Sequence, residues 1–261
     1  MRQFSADYLR ETRRGMWADS REALSGLELP ACERVLDVGC GEGALTRVLA
    51  EETDGAVIGC DRDADLLKRI GLPTVRGDAY HLPFRDASVD LVVCQALLIN
   101  LSDPDRAVRE FARVSAERVA CIEPDNAAVE VESTVDAEST LAGRARELYL
   151  RGVETDVSLG ADVVATFEAA GLSNVTTSRY DQTLVVEPPY SEHDVRAVRR
   201  KASGSGLRER RTTMAGTDEE LDALRSEWRA MGREAVRQVQ TDEYRRREVV
   251  PFYVTVGELT N

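Results

Sequence analysis

A strand-like run that ends in glycines and turns at once into a helix is the feature that most narrows what this chain can fold into. Leu36-Asp37-Val38 leads into Gly39-Cys40-Gly41-Glu42-Gly43, after which Ala44, Leu45, Val48 and Leu49 recur on one helical face. Missing side chains let the backbone turn sharply and come close to a ligand, and a helix start presents unpaired N–H groups that suit an anionic group. The alternation continues downstream. Val57 to Cys60 forms a second strand closing on Asp61, a helix is predicted over 65–70 and stopped by Gly71-Leu72-Pro73, and Thr74-Val75-Arg76 is a brief third strand. A fourth strand is predicted over 90–94, a helix over 105–116, and a fifth strand over 118–122 ending at Glu123-Pro124. Strands and helices in alternation predict βαβ units, hence a doubly wound, mostly parallel α/β sheet.

Beyond Pro124 the pattern loosens. Residues 125–137 are polar and acid-rich without a clear period, and helices follow over about 138–151 and 160–170, the second stopped by Gly171. A long strand runs from Asn174 to Glu187 and is stopped by Pro188-Pro189, and a last strand is marked by Val250, Phe252, Val254 and Val256. Between these two, the Gly-, Ser- and Arg-rich stretch 202–217 is expected to be mobile. Residues 218–248 read as one helix with Leu221, Leu224, Trp228, Met231 and Ala235 on a common face, a stripe of the kind that packs in a core. The organisation expected is an N-terminal helical cover over 1–30 and a main domain over 31–261. Two helical cap insertions, at about 125–158 and 190–248, would lie over the carboxyl edge of the sheet.

Charge and cysteine content bound the partners. Acidic residues number 47 against 34 basic ones, a net charge of −13, and such a surface repels phosphate backbones and anionic lipid. Nucleic acid and membrane are therefore not expected as partners. Only Lys68 and Lys201 are lysines; with the acid excess this suits a halophilic, salt-adapted host, although Arg-favouring codon usage alone would explain the lysine scarcity. Cys32, Cys40, Cys60, Cys94 and Cys121 share no metal-ligand or CxxC spacing, so buried free thiols and no metal are expected. No apolar signal region opens the chain and no stretch approaches roughly 18 apolar residues, which leads to an expectation of a cytoplasmic protein.

Three signals along the first strands carry the chemistry. The glycine turn alone is weak evidence, since Gly39, Gly41 and Ala44 also satisfy the looser dinucleotide fingerprint G-x-G-x-x-A. Asp61, at the end of the second strand, can accept hydrogen bonds from both hydroxyls of a ribose, a feature that a nicotinamide enzyme shares. Gly77-Asp78-Ala79 discriminates: an aspartate at that turn can accept from an adenine amino group while the adjoining backbone N–H donates to a ring nitrogen.

The ordered set Val35–Gly43 (VLDVGCGEG), Gly59-Cys60-Asp61, Gly77–Phe84 (GDAYHLPF) and Val89–Leu98 (VDLVVCQALL) resembles the class I S-adenosylmethionine-dependent methyltransferases. It is most similar to their small-molecule branch, which includes quinone-biosynthesis enzymes, and the resemblance covers residues 33–124. It implies a seven-stranded Rossmann-like sheet and S-adenosyl-L-methionine as cofactor. Gly39, Cys40, Gly41 and Gly43 would line the methionine and ribose part, with Asp37 holding that loop or reaching the amino group through water. Asp61 would take the ribose hydroxyls, with Arg62 beside the adenine; Asp78 and Ala79 would read the adenine edge. Gln95 would face the methionine moiety or the substrate, and Arg13, on a helix before the domain, would meet the methionine carboxylate.

The function this implies is methyl transfer to a small-molecule acceptor held under a helical cap, by a monomer or homodimer. No catalytic base is assigned, because in-line displacement from a sulfonium relies mainly on positioning. His81 is expected to pack beside the adenine loop, His193 and the arginines at 196, 199, 200, 208, 210 and 211 lie in the second insertion, and Glu123 is a candidate for orienting a substrate proton. The amino-directed Asn-Pro-Pro-Tyr motif is absent after the fourth strand; Glu187-Pro188-Pro189-Tyr190 reads as a strand stop. Two alternatives remain: an NAD-dependent oxidoreductase, which leaves Asp78 without a task, and a non-catalytic cofactor-binding regulator.

Overall fold

In the computed structural model, which describes residues 16, 17 and 21–260, the chain from Arg34 lays down parallel strands. β1 (Arg34–Val38), β2 (Ala56–Asp61), β3 (Thr74–Arg76), β4 (Val89–Gln95) and β5 (Ser115–Pro124) stand in the order β3-β2-β1-β4-β5. Val35, Leu36 and Val38 of β1 and Leu91 to Cys94 of β4 are all buried, as central parallel strands covered on both faces require. The connecting helices are α1 (Ala44–Glu52), α2 (Ala64–Leu67) and α3 (Pro104–Val114). At the start of α3 the Asp103 carboxylate accepts from the Arg106 N–H at 3.0 Å and Pro104 sits in the first turn, so propensity and capping agree. Its buried face, Ala107, Val108, Phe111 and Val114, joins the core under the sheet.

The chain divides into two units. The first comprises the chain to Asp125, then Ser158–Tyr180 and everything from Phe252; the second comprises Asn126–Val157 and Asp181–Pro251. In the first unit the later part of β8 (Arg246–Glu258) runs antiparallel to β5, with Pro124 opposite Phe252 and Arg118 opposite Glu258. β7 (Ser173–Val186) pairs with β8 on its other side, and contacts from Asn174 to Glu258 and from Thr177 to Thr255 (3.0 Å) make those strands antiparallel too. The described residues of this unit thus form a mostly parallel seven-stranded sheet, β3-β2-β1-β4-β5-β8-β7, of the doubly wound α/β class.

In the second unit β6 (Glu130–Ser133) pairs antiparallel with the opening residues of β8, Ser133 facing Arg246. Four helices accompany it: α4 (Asp136–Gly152), then, after α5 (Val163–Ala169) of the first unit, α6 (Glu192–Ser203), α7 (Ser205–Arg210) and α8 (Asp218–Gln240). Leu141, Leu148, Val198, Leu224, Met231 and Tyr244 make a core of their own. A Cβ built on Gly232 of α8 would lie 2.3 Å from the Ala202 nitrogen of α6, so glycine is what lets these helices meet backbone to backbone.

Three expectations need correction. The helix predicted over 218–248 ends at Gln240, where the N–H groups of Glu243 (2.8 Å) and Tyr244 (3.3 Å) turn back onto the Gln238 carbonyl; Asp242 takes a left-handed φ of 59°, and β8 begins at Arg246. Tyr244, fully buried, anchors that turn. The stretch 202–217 is folded: Gly204 closes α6 in a left-handed conformation (φ 65°), α7 follows, and Ala215 N–H donates to the Leu148 carbonyl at 2.8 Å. Residues 125–137, read as patternless, contain β6.

Candidate functional site

The glycine bend is built from its neighbours outward. Gly39, Gly41 and Gly43 have φ of 71°, 58° and 80°, in the left-handed region where other L-residues are strained. At Gly39 space adds to torsion: a Cβ would stand 2.8 Å from Leu97 Cδ1. The N–H groups of Gly39 and Cys40 both donate to the Cys60 carbonyl, at 2.7 and 3.1 Å, which fastens the bend to the end of β2. Gly43 caps α1.

Asp61 ends β2, half-buried, and holds the bend from its other side. Its Oδ2 accepts from the Gly41 N–H at 2.9 Å and its Oδ1 from the Asp63 N–H at 2.9 Å. Asp37 is buried within β1 and accepts from the Thr46 hydroxyl of α1 at 2.6 Å. Cys40 is buried beside these acids; desolvation first, then Asp37 and Asp61, hold its thiol far above the ordinary range. Cys60 is pushed up to about 12 by burial and then by the same acids. Both are therefore protonated packing groups, not nucleophiles.

The next turn is tied to the first. Gly77 N–H donates to the Asp61 carbonyl at 3.1 Å. Asp78 is exposed, its carboxylate accepting from the Tyr80 N–H at 2.9 Å and its carbonyl from the His81 N–H at 2.9 Å; Ala79 beside it is buried. The Leu82–Phe84 step is held by Arg113 of α3, which donates to the carbonyls of Leu82 (3.3 Å) and Phe84 (3.0 Å) and to Asp86 and Glu110. Glu110 in turn accepts from the Leu82 N–H at 2.7 Å, and the hydrogen bond from Arg113 is the chief reason its carboxyl lies below the usual range. His81 contacts Arg106, whose guanidinium lies 5.1 Å from the Tyr80 ring centre. Arg62 is exposed, its carbonyl accepting from Arg76 Nε at 3.0 Å.

At the end of β4, Gln95 is buried and its Nε2 lies 2.7 Å from Met16 Sδ. The Tyr180 hydroxyl reaches the Met16 carbonyl at 3.4 Å. Trp17 is buried as well, and its indole N–H has no hydrogen-bond partner among the described residues. Arg13 lies outside the described residues, as does most of the N-terminal stretch read as a helical cover; Arg21–Leu27 and Leu29–Ala31 are 3-10 turns.

Glu123, a candidate from the sequence for orienting a substrate proton, has a structural part that the sequence did not announce. It is wholly buried at the end of β5, and its oxygens accept the N–H groups of Leu97 (2.9 Å), Leu98 (2.8 Å) and Ile99 (3.4 Å) in the loop after β4. A carboxylate so engaged holds the backbone of the loop after β4. Leu97, which it positions, is the side chain packed on Gly39. The only sequence signal was an acid directly after the apolar run 119–122. His193 lies on α6 in the second unit.

Comparison with known proteins follows this geometry. A family model described as a methyltransferase domain matches residues 36–122, which run from β1 through β5. A demethylmenaquinone methyltransferase of Roseiflexus sp. (strain RS-1) is 38% identical over 105 residues, 36% of this chain and 44% of that protein. One from Lactiplantibacillus plantarum is 36% identical over 120 residues, 40% of this chain and 50% of the relative. The matches thus span about half the length of these relatives or less. The crystal structure of a proposed methyltransferase from Bacillus halodurans C-125 superposes with a TM-score of 0.52 at 17% identity, over 91% of this chain and 98% of that one, and shares its fold. The segment carrying the glycine bend, Asp61 and Asp78 is the one that matches the model of a methyltransferase domain. Among the described residues no helix is long and apolar enough to cross a membrane.

Proposed function

We propose that the chain transfers a methyl group from S-adenosyl-L-methionine to a small-molecule acceptor. The observation that carries this reading is the clasp between Asp61 and Gly41: one carboxylate at a strand end, hydrogen-bonded to a left-handed glycine bend at a helix start. The fit to the cofactor rests on that bend. A side chain at Gly39 would run into Leu97, so the bend presents bare backbone, and Asp61 keeps lone pairs beyond its two backbone bonds for a diol. Asp61 would hold the ribose, Asp78 and Ala79 the adenine edge, and Gly39 to Gly43 the amino-acid tail. Bound there, the cofactor supplies an electrophilic methyl on sulfonium. The protein's part is then orientation and exclusion of water at the carboxyl ends of β1 and β4, where Gln95 stands.

Acceptor choice is assigned to residues outside the matched segment. Asn126–Val157 and Asp181–Pro251 lie beyond the 36–122 match, so a quinone acceptor is supported only by the names of relatives whose likeness covers less than half of this chain. The acid excess is read as adaptation to concentrated salt and a cytoplasmic setting.

Calorimetric titration with S-adenosylhomocysteine tests the reading. One equivalent should bind, and Asp61→Ala and Asp78→Ala should each weaken it by about 1–3 kcal/mol. Wild-type affinity in both variants, or binding of NAD with none of S-adenosylhomocysteine, would overturn it.

A further inference from the structure

The proposed methyl transfer gives Gln95 a task and Met16 none, although the two side chains touch. Met16 is 1% exposed, and its thioether Sδ lies 2.7 Å from the Gln95 amide Nε2. Gln95 is itself buried at the last position of β4. The register of β1 and β4 pairs Val38 with Cys94, so Gln95 stands one step on, level with Gly39 at the start of the glycine bend. The Tyr180 hydroxyl of β7 reaches the Met16 carbonyl at 3.4 Å and helps hold its backbone.

Two features mark this seat as one that Met16 can leave. A thioether is a weak hydrogen-bond acceptor, so the buried amide is matched with a poor partner. A carboxylate in the same place would accept a charge-assisted bond, about twice as strong as a neutral one. One residue along, Trp17 is 6% exposed, and its indole N–H has no partner among the described residues. A buried donor left without an acceptor works against the arrangement that buries it. Methionine also suits a side chain that must move: it is unbranched and its soft sulfur packs against varied neighbours.

We propose that Met16 is a plug in the cofactor site: its thioether holds the Gln95 amide until the carboxylate of a bound S-adenosyl compound takes over that bond and turns the methionine side chain out. The inference rests on the reading of Gly39 to Gly43 as the seat of the cofactor's amino-acid tail, which brings the tail's carboxylate next to Gln95. The protein then binds its cofactor in competition with its own side chain. The plug lowers cofactor affinity and covers the end of β4 with apolar surface whenever the cofactor is away.

The test uses the full chain with carbon-13 in its methionine methyl groups, titrated with S-adenosylhomocysteine and followed by NMR. The Met16 signal, identified by its loss in Met16→Ala, should move to the position of solvent-exposed methionine at saturation. Saturation with 5′-methylthioadenosine, the same nucleoside thioether without the carboxylate, should leave that signal in place. Calorimetry should show Met16→Ala binding S-adenosylhomocysteine roughly fivefold more tightly, because no side chain has to be expelled. If truncation of this buried residue prevents folding, the wild-type signal decides alone. A Met16 signal that stays at its buried position, the same movement with 5′-methylthioadenosine, or equal or weaker binding by folded Met16→Ala overturns the plug and leaves the cofactor reading standing. No binding of S-adenosylhomocysteine by the wild type overturns the cofactor reading, and the plug with it.

Discussion

Two of the buried carboxylates, Glu123 in the first unit and Glu138 in the second, are held by different kinds of partner. Three successive backbone N–H groups of the loop after β4 donate to Glu123 in the first unit, and the Cys94 thiol lies 3.8 Å from it. Glu138 in the second is surrounded by side chains from distant segments. Lys201 donates to it, Tyr244 donates at 2.8 Å, Ser133 at 2.7 Å, and Arg246 Nε lies 3.1 Å away. The first arrangement fixes a loop that packs on the glycine bend. The second ties β6, α4, α6 and β8 together through charge. Peptide dipoles cost little to place once the strands are set; buried cations each demand a counter-charge.

The largest effect should follow from breaking that cation cluster. Glu138→Ala leaves Lys201 and Arg246 buried without their shared partner and should cost the second unit about 3–5 kcal/mol. Trp17 and Trp228 are the two tryptophans, one in each unit. In a Trp17→Phe background, denaturant unfolding followed by Trp228 fluorescence reports on the second unit alone. Glu123→Gln should cost less, about 1.5–3 kcal/mol, because an amide retains one acceptor oxygen for three donors; Trp17 fluorescence in a Trp228→Phe background is the readout. If Glu123→Gln proves the more damaging of the two, the contrast drawn here is wrong. Gly39→Ala should cost about 1–2 kcal/mol from its left-handed torsion. The Leu97 terminus that a Cβ would meet is a flexible end that can shift, so combining the change with Leu97→Ala should recover little of the loss.

The same contrast governs what could be read in advance. β1, the glycine bend and Asp61 were legible because their logic is local: a buried run, three residues without side chains, and an acid at the next strand end. Glu123 was not, since its partners lie 24 to 26 residues back and are backbone groups that no residue type announces. Glu138 was less so, with Lys201 and Tyr244 at separations of 63 and 106 residues. β6 escaped because its faces are exposed or half-buried, so Glu130-Val131-Glu132-Ser133 carries no apolar period. The end of α8 escaped because Tyr244, which reads as a helix surface residue, is drawn into the core by its hydroxyl bond to Glu138.

The smallest effect is the proton-dependent one in mild acid, and it separates the two carboxylates without changing a contact. Burial raises the Glu138 carboxyl, but the charge and hydrogen bond of Lys201, then Ser133 and Arg246, outweigh it and leave the group below its ordinary value of 4.5. A carboxyl lowered on folding stabilises the fold above that value and loses the contribution as pH falls through the lowered one. Lys201 is displaced the other way for an ammonium, lowered to about 8 by burial and by Arg246, so its proton stays bound throughout the acid range and, of this pair, Glu138 is the member that titrates there. The Trp228 unfolding midpoint should therefore fall on acidification in the wild type and fall less steeply in Glu138→Gln. An identical acid slope in the variant would mean that other carboxylates govern the second unit, and that the Glu138 cluster is held by packing of the Tyr244 ring instead of by charge.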